Sequence, residues 1–299
     1  MKSFFLFFCC SIFHFAFTQI PSLIPLPQQI KWKKDFFNLN SCKAIVAKDP
    51  TVQREVVYLQ NELKRKGNPI PIVQTIKINQ PYIEIGISKY DTLTSDEAYY
   101  LKVNAKKVLL TAKTTHGIFN GIQTLLQLMQ NDKKIKGCEI ADWPAFSWRG
   151  YMIDVGRNYM SMGLLKQQID VMAQYKFNVF HFHSTEDIAW RFPIKQYPQL
   201  TAAENMTRNK GKFYSQKEIQ DLISYCKERH ITFIPEIDMP GHSAAFRRAM
   251  KTDMQSNSGM QIIKNILKEI CTTYDVPYIH IGADEVKITN EDFIPEITS

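Results

Sequence analysis

Short apolar runs alternate with segments of helical spacing throughout the second half of the chain. The apolar runs predict strands at 151–155, 178–183, 232–237 and 278–283, and the segments between them predict helices at 163–176, 215–229 and 261–274. Four successive βα-type units imply a parallel sheet, either doubly wound or closed into a (β/α)8 barrel. No GxGxxG follows the first strand, so the dinucleotide-binding version of such a sheet has little support.

Polar residues with catalytic capacity stand at the end of each predicted strand. They are Asp154 and Arg157 at the first, His181, His183, Glu186 and Asp187 at the second, Glu236, Asp238 and His242 at the third, and Asp284 and Glu285 at the fourth. Catalytic groups of parallel α/β folds collect at the carboxyl ends of strands, so one cavity could receive all of them. The alternative for the last pair is a solvated strand end with two surface acids.

The first half has a different pattern, which is typical of a small α+β domain. Helical spacing predicts helices at 51–66 and 117–130, and alternation predicts strands at 81–88 and 98–111, the second with a turn at 104–107. Trp143 and Pro144 mark the change of pattern. We therefore expect a small α+β domain at 19–142 and barrel units at 143–299.

Residues 1–18 have the pattern of a secretory signal peptide. Lys2 precedes an apolar run at 4–17, and Ala16 and Thr18 provide small residues for cleavage. The run is short for a membrane span, so we expect export with cleavage, to the periplasm, the cell surface or the medium. A lipoprotein attached at Cys9 is the alternative, which the bulky residues before that cysteine disfavour.

Composition and charge argue against several other classes. The chain has 299 residues, of which 44% are hydrophobic and 22% charged, as in a globular protein. The four cysteines after the predicted signal are widely spaced without a CxxC pair, so they indicate neither a zinc site nor a dense disulfide framework. Residues 20–142 hold 18 Lys and Arg against 11 Asp and Glu, whereas residues 143–299 hold 18 of each. Because the basic clusters are scattered and lack a regular aromatic platform, they favour a solvated surface over nucleic-acid binding.

Four segments carry a resemblance to a known family. They resemble the successive strand motifs of the family 20 glycoside hydrolases, the β-N-acetylhexosaminidases, and they occur in the same order as in that family. The segments are RGYMIDVGRNY, NVFHFHSTEDIAWR, FIPEIDMPGH and YIHIGADEV. A fifth segment resembles the small domain that precedes the barrel in this family. Its sequence is EAYYLKVNAKKVLLTAKTTHGIFNGIQTLLQL. The resemblance implies an α/β fold, with a small α+β domain followed by a (β/α)8 TIM barrel of which about four βα units are present.

The same resemblance implies exo-acting, retaining hydrolysis of terminal N-acetylhexosamine residues from glycans or glycoconjugates. Glu285 matches the general acid and base, and Asp284 matches the carboxylate that orients the 2-acetamido group of the substrate. The carbonyl oxygen of that group attacks the anomeric carbon in place of an enzyme side chain, which is an exception to the usual two-carboxylate scheme. The choice between N-acetylglucosamine and N-acetylgalactosamine is left open.

Further site residues are implied in the same way. Arg157 resembles the arginine that binds sugar hydroxyls, and His242 resembles the histidine beside the general acid, held in turn by Glu186. Asp187 and Trp190 are expected to contact the substrate. The alternatives are a scaffold ion pair for Arg157, a turn-ending role for His242 and a core position for Trp190.

No metal and no other cofactor is implied. His181, His183 and Asp238 are interpreted as strand-end packing and hydrogen-bonding residues rather than metal ligands. One departure from the family lies at Glu186, where an aspartate is usual. Glutamate keeps the negative charge of aspartate but is one methylene longer, which places its contact with His242 in question.

The length of the chain leaves two hypotheses for its function. Only 14 residues follow Glu285, whereas a full barrel takes about 250 residues and eight strands. Four open strands would expose apolar faces and an unpaired edge, through which the chain could self-associate. The first hypothesis is an exported hexosaminidase whose sequence is incomplete or is completed by another chain. The second is a truncated, non-hydrolytic remnant or a weak carbohydrate-binding protein.

Overall fold

The computed structural model describes residues 22–75, 80–88, 94–129 and 133–298. The predicted signal peptide at 1–18 lies outside these ranges, so export stays a prediction. Within the described ranges, no helix has both the length and the apolar character needed to cross a membrane.

Seven strands and two α-helices are found among the described residues of the first part of the chain. The strands are β1 (Gln29–Asn38), β2 (Ile45–Ala47), β3 (Ile72–Val73), β4 (Tyr82–Ile87), β5 (Tyr99–Val103), β6 (Lys107–Ala112) and β7 (Lys134–Asp142). They form one sheet in the order β1-β7-β5-β6-β4-β2-β3. Helices α1 (Gln53–Arg65) and α2 (Thr115–Leu128) contact each other, and α2 packs on β4, β5 and β6. The two predicted helices and the predicted strands of this part are confirmed.

The sequence pattern does not predict β1 and β7, although they pair with each other along most of their length. Their register shifts between Trp32 and Phe36, which interrupts the two-residue alternation of β1. Gly137 leaves β7 without a side chain near the middle of the strand. Both features weaken the periodicity from which a strand is predicted.

A buried lysine joins the first part of the chain to the second. Lys176, which follows the first helix of the second part, places its Nζ 2.8 Å from Asp142 Oδ2 and 2.9 Å from Tyr99 Oη. Burial lowers the pKa of Lys176, and the charge of Asp142 opposes this effect. Because a buried charge is costly without a partner, the contact ties the end of β7 to the second sheet.

A partly buried histidine at the same boundary predicts a pH-dependent stability. The His116 ring stacks on His230 with 4.9 Å between ring centroids. Burial lowers the pKa of His116 from 6.5 to about 4, against the opposing charge of Glu97. The folded chain therefore favours the neutral ring, and the associated stability is complete above pH 6.5 and is lost as the pH falls towards 4.

We expect the free energy of unfolding to decrease by about 2 kcal/mol through this effect as the pH falls from about 7 to 4. Urea unfolding at several pH values between about 7 and 4 measures it, with His116→Gln as the comparison. The variant should show a shallower pH dependence than the wild type. Identical pH dependence in the two proteins would contradict the assignment to His116.

Among its described residues, the second part contains a three-stranded parallel sheet and five α-helices. The strands are β8 (Gly150–Asp154), β9 (Val179–His183) and β10 (Thr232–Glu236), in the order β10-β9-β8. The helices are α3 (Met162–Gln174), α4 (Gln216–Lys227), α5 (Ala244–Met250), α6 (Asn257–Thr273) and α7 (Phe293–Thr298). Three predicted strands and three predicted helices are confirmed, and α4 starts with a capping box formed by Ser215 and Glu218.

The predicted fourth strand at 278–283 is not a regular strand. A single bridge joins His280 to Glu236, and the segment runs parallel to β10 through backbone hydrogen bonds, among them Ile237 N–H to His280 O at 3.0 Å. Gly282 and Ala283 have φ values of +68° and +79°, which end the extended conformation. The segment is thus extended and parallel to β10, as a parallel sheet requires, but it is less regular than the predicted strand.

Apolar side chains are exposed beside this open sheet. Trp148, Tyr151, Met152 and Tyr278 border a cavity of about 450 Å³, together with residues of β9 and β10. This is the surface expected from four open strands. Self-association through it stays a proposal.

Candidate active site

The two adjacent carboxylates lie on an irregular turn that follows the bridge to β10. Asp284 and Glu285 are 67% and 78% exposed at their side chains. Gly282 is needed in this turn, because a Cβ atom there would lie 1.9 Å from Asp238 Oδ1 and because its φ is positive. The turn therefore presents both carboxylates to solvent from a backbone held against the end of β10.

Asp238 holds this turn, a role that the sequence does not reveal. Its side chain is buried, and Oδ1 accepts a hydrogen bond from the Ala283 N–H at 3.2 Å. Burial raises the pKa of Asp238, and the charge of nearby Asp284 acts in the same direction. The expected hydrogen-bonding role of Asp238 at the strand end fits this contact, in which the partner is the backbone immediately before Asp284.

Arg157 and Glu186 meet where β8 and β9 end. Arg157 Nη1 lies 2.7 Å from Asp154 Oδ2, and Nη2 lies 2.5 Å from Glu186 Oε1. The ion pair with Asp154, which is the alternative role considered for Arg157, is thus present. Arg157 also pairs with a second carboxylate, that of Glu186. Its guanidinium remains about half exposed, so donors are left for another ligand.

Glu186 also contacts His242, despite the methylene that distinguishes it from aspartate. Glu186 is 2% exposed at its side chain, and its Oε1 lies 3.2 Å from His242 Nδ1. The other ring nitrogen of His242, Nε2, lies 3.5 Å from Glu285 Oε2 and 3.9 Å from Asp284 Oδ2. The imidazole therefore stands between a buried carboxylate and the exposed pair.

Asp187 lies at the edge of this cluster. Its Oδ1 accepts a hydrogen bond from the Ala244 N–H at 2.8 Å, at the start of α5. Its carbonyl oxygen accepts a hydrogen bond from Arg248 at 2.7 Å. The residue is exposed, so its carboxylate is open to a ligand while the backbone is fixed.

Trp190 lies in the core rather than at the rim of the site. The side chain is 1% exposed, and its indole N–H donates to the carbonyl oxygen of Phe192 at 2.8 Å. The ring packs near Phe246, with 6.3 Å between centroids. The expected contact with substrate does not fit this position, because both the ring and its donor are already occupied within the protein.

Arg191, the next residue, has a structural role that the sequence does not predict. Its buried guanidinium donates only to backbone oxygens and one sulfur among the contacts described, including Val155 O at 2.5 Å and Lys212 O at 2.6 Å. Burial lowers its pKa. Arg191 thereby joins the segment after β8 to the loop at 206–212. No sequence motif indicates this role, because its partners are main-chain carbonyls.

Histidines at the strand ends form a hydrogen-bonded group with Glu236. His181 Nε2 and His183 Nδ1 lie 2.5 Å and 2.9 Å from Glu236 Oε2. His280 Nδ1 lies 3.4 Å from the other oxygen. These groups are close enough together to hold a cation, but His181 and His183 already hydrogen-bond to Glu236, and His280 Nδ1 accepts a hydrogen bond from the Gly282 N–H at 3.1 Å.

Two family models match the chain. The model of the glycosyl hydrolase family 20 catalytic domain matches residues 146–258, and the model of domain 2 of the same family matches residues 20–143. The catalytic-domain match ends before Asp284 and Glu285. Their assignment therefore rests on the YIHIGADEV motif and on the geometry described above.

Curated relatives and solved structures agree with these matches. A β-hexosaminidase of Porphyromonas gingivalis is 33% identical over 88% of this chain and 39% of its own length, and one of Vibrio furnissii is 30% identical over 89% and 49%. A GH20 exo β-N-acetylglucosaminidase of Vibrio harveyi in complex with N-acetylglucosamine has a TM-score of 0.79 at 29% identity, over 88% of this chain and 47% of that one. The chitobiase of Flavobacterium johnsoniae has a TM-score of 0.76 at 29% identity, over 92% and 46%. The chain thus spans half or less of the length of these relatives.

Proposed function

Because the chain belongs to glycoside hydrolase family 20, we propose that it carries half of an active site for removing terminal N-acetylhexosamine residues from glycans. One observation supports this most strongly. Glu186, His242 and Glu285 lie in contact in that order, with Asp284 beside them, although they come from three separate segments. Such a row of carboxylate, imidazole and carboxylate suits controlled proton transfer at Glu285.

We propose a substrate-assisted retaining mechanism at this site. Asp284 accepts a hydrogen bond from the N–H of the 2-acetamido group, so that the carbonyl oxygen of that group faces the anomeric carbon. As this oxygen forms its bond to carbon, the glycosidic bond breaks and Glu285 donates its proton to the departing oxygen. The new bond closes a five-membered ring that contains the acetamido oxygen and nitrogen. Glu285 then takes a proton from water, the water oxygen attacks the anomeric carbon, and the bond from that carbon to the acetamido oxygen breaks, which opens the ring again.

Arg157 and Asp187 are proposed to hold the sugar. The exposed half of the Arg157 guanidinium retains donors beyond those used by Asp154 and Glu186, and its planar fork suits two neighbouring hydroxyls. Asp187 has an exposed carboxylate, of which Oδ1 accepts a hydrogen bond from the Ala244 N–H, and its backbone carbonyl accepts one from Arg248.

A second candidate function is weak carbohydrate binding without hydrolysis. The observation that favours it is the exposure of Asp284 and Glu285, which leaves the reacting groups in water. Water weakens electrostatic stabilisation of a transition state and competes for the hydrogen bonds that orient the substrate. Burial of the pair by further protein would favour the hydrolase.

Proton NMR of the purified chain mixed with a β-linked N-acetylglucosamine disaccharide distinguishes the two functions. The hydrolase should release the β-anomer of N-acetylglucosamine before mutarotation produces the α-anomer, because the mechanism retains configuration. Initial release of the α-anomer would contradict the mechanism. Ligand-induced shifts without product would favour the binding protein. Asp284→Asn serves as the comparison, and it should slow release without changing the anomer.

Export is part of the proposed function but rests on residues 1–18 alone. The lysine followed by an apolar run is the feature that supports it. An exported location would suit an enzyme whose substrates are extracellular glycans.

A further inference from the structure

A second carboxylate–imidazole contact extends the row of groups behind Glu285. His183 Nδ1 lies 2.9 Å from Glu236 Oε2, and His183 Nε2 lies 3.8 Å from Glu186 Oε1. Glu186 Oε1 in turn lies 3.2 Å from His242 Nδ1. Carboxylates and imidazoles therefore alternate from Glu236 at the end of β10, through His183 and Glu186 at β9, to His242 and the exposed pair.

His183 has an unusual environment within this row. Its side chain is buried, and Nε2 has no hydrogen-bond partner in the described part of the structure. The direction in which Nε2 points is nevertheless set by the Nδ1 contact with Glu236. The nitrogen consequently faces Glu186, at a distance that favours attraction between charges more than a hydrogen bond.

The charges around His183 favour a protonated ring. Carboxylates reach it from the ends of β8 and β10 and from the segments after β9 and β10, namely Asp154, Glu236, Glu186 and Asp238. The guanidinium of Arg157 contacts two of them, Asp154 and Glu186. Buried carboxylates are costly without cationic or hydrogen-bonding partners, so an imidazolium here would offset part of that cost.

The pairing of His183 with Glu236 acts in the same direction. Burial alone would lower the pKa of His183, but its hydrogen bond to Glu236 and the charge of Glu236 raise that pKa above its ordinary value. For Glu236, burial opposes ionisation, whereas the hydrogen bonds from His181 and His183 hold its pKa well below the usual range. Each partner thus favours the charged form of the other.

We propose that His183 is a positioning residue, held as a cation by Glu236, and that it fixes Glu186 in the conformation that contacts His242. The proposal rests on the proposed function for its catalytic meaning. Glutamate has one more rotatable bond than the aspartate usual at this position, so a single contact with His242 would restrain it less well. Attraction to His183 on one side and to Arg157 on the other restricts the Glu186 side chain.

Nitrogen-15 NMR of histidine rings in the whole 299-residue chain tests this positioning role. At about pH 7 we expect both ring nitrogens of His183 to carry protons. In Glu236→Gln, His183 should become neutral, and the ring signals of His242 should move although no contact of His242 is altered directly. In Glu186→Gln, the His242 signals should no longer follow the titration of His183.

The chain supplies a matched control. Glu55 is also a buried carboxylate that contacts a histidine, with Oε1 2.9 Å from His230 Nε2. Glu55→Gln should change the signals of His230 and leave those of His183 and His242 in place. This comparison separates coupling along the row from a general effect of losing a buried charge.

A neutral His183 ring in the wild type would overturn the proposal, as would unchanged His242 signals in Glu236→Gln. If Glu236→Gln does not fold, His183→Gln is measured instead, and the same displacement of the His242 signals is required. The NMR readout does not depend on turnover. A chain that hydrolyses no glycan would contradict the proposed function while leaving the charge state of His183 and its coupling to His242 measurable.

Discussion

Replacing Glu285 with glutamine should reduce the rate of p-nitrophenol release from an aryl N-acetyl-β-glucosaminide by about 10²–10⁴-fold. Glutamine keeps nearly the same shape but cannot donate a proton to the leaving oxygen or accept one from water. His242 would remain 3.5 Å or so from the amide, so the loss would reflect proton transfer rather than collapse of the site. Initial rates at saturating substrate measure the effect on kcat.

Two controls make this result specific to the acid. Glu291→Gln removes an exposed carboxylate six residues further along the chain and should leave the rate unchanged. A substrate with a dinitrophenyl leaving group needs little protonation, so its bond cleavage should be much less sensitive to Glu285→Gln. Equal rates in the wild type and Glu285→Gln would contradict the assignment of Glu285 as the acid and base.

Replacing Arg191 with methionine should lower the free energy of unfolding by about 3–5 kcal/mol. Methionine fills a similar volume but leaves the carbonyl oxygens of Val155, Lys212 and Arg208 without their buried donor. Each buried acceptor that loses its partner costs about 1–3 kcal/mol, and part of that cost is recovered when the loop at 206–212 moves into water. Urea unfolding followed by circular dichroism measures the change.

Variants at Arg191 and Arg65 separate the lost hydrogen bonds from the lost charge. Arg191→Lys keeps the charge but lacks the planar fork, so it should fall between the wild type and Arg191→Met. Arg65 is exposed and pairs with Glu62, and Arg65→Met should change the stability by less than about 0.5 kcal/mol. Wild-type stability in Arg191→Met would show that the contacts of Arg191 are not needed to hold the loop.

Local sequence patterns were sufficient for most elements of the second half. The spacing of Ser215 and Glu218 marks the start of α4, and the apolar runs mark β8, β9 and β10. Because parallel strands end at the same edge, the sequence also brings Arg157, Glu186 and His242 into one cluster. These predictions succeed because each depends on residues close together in the chain or on a general rule of topology.

Contacts between distant segments could not be predicted in the same way. Asp238 meets the Ala283 N–H from 45 positions away, and Arg191 meets Val155 O from 36 positions away. Trp190 could occupy a rim or a core as far as its residue type is concerned, and only the packing around Phe246 decides between them. The segment at 278–283 has the apolar content of a strand, but positive φ values at Gly282 and Ala283 end it early.

Chromophore release from two matched aryl glycosides tests the role of the substrate's acetamido group most directly. The purified chain is mixed separately with p-nitrophenyl N-acetyl-β-glucosaminide and with p-nitrophenyl β-glucoside, which lacks the 2-acetamido group. Substrate-assisted catalysis predicts release from the first compound and almost none from the second, because the second has no internal nucleophile. Comparable release from both compounds, or no release from either by a folded chain, would contradict it.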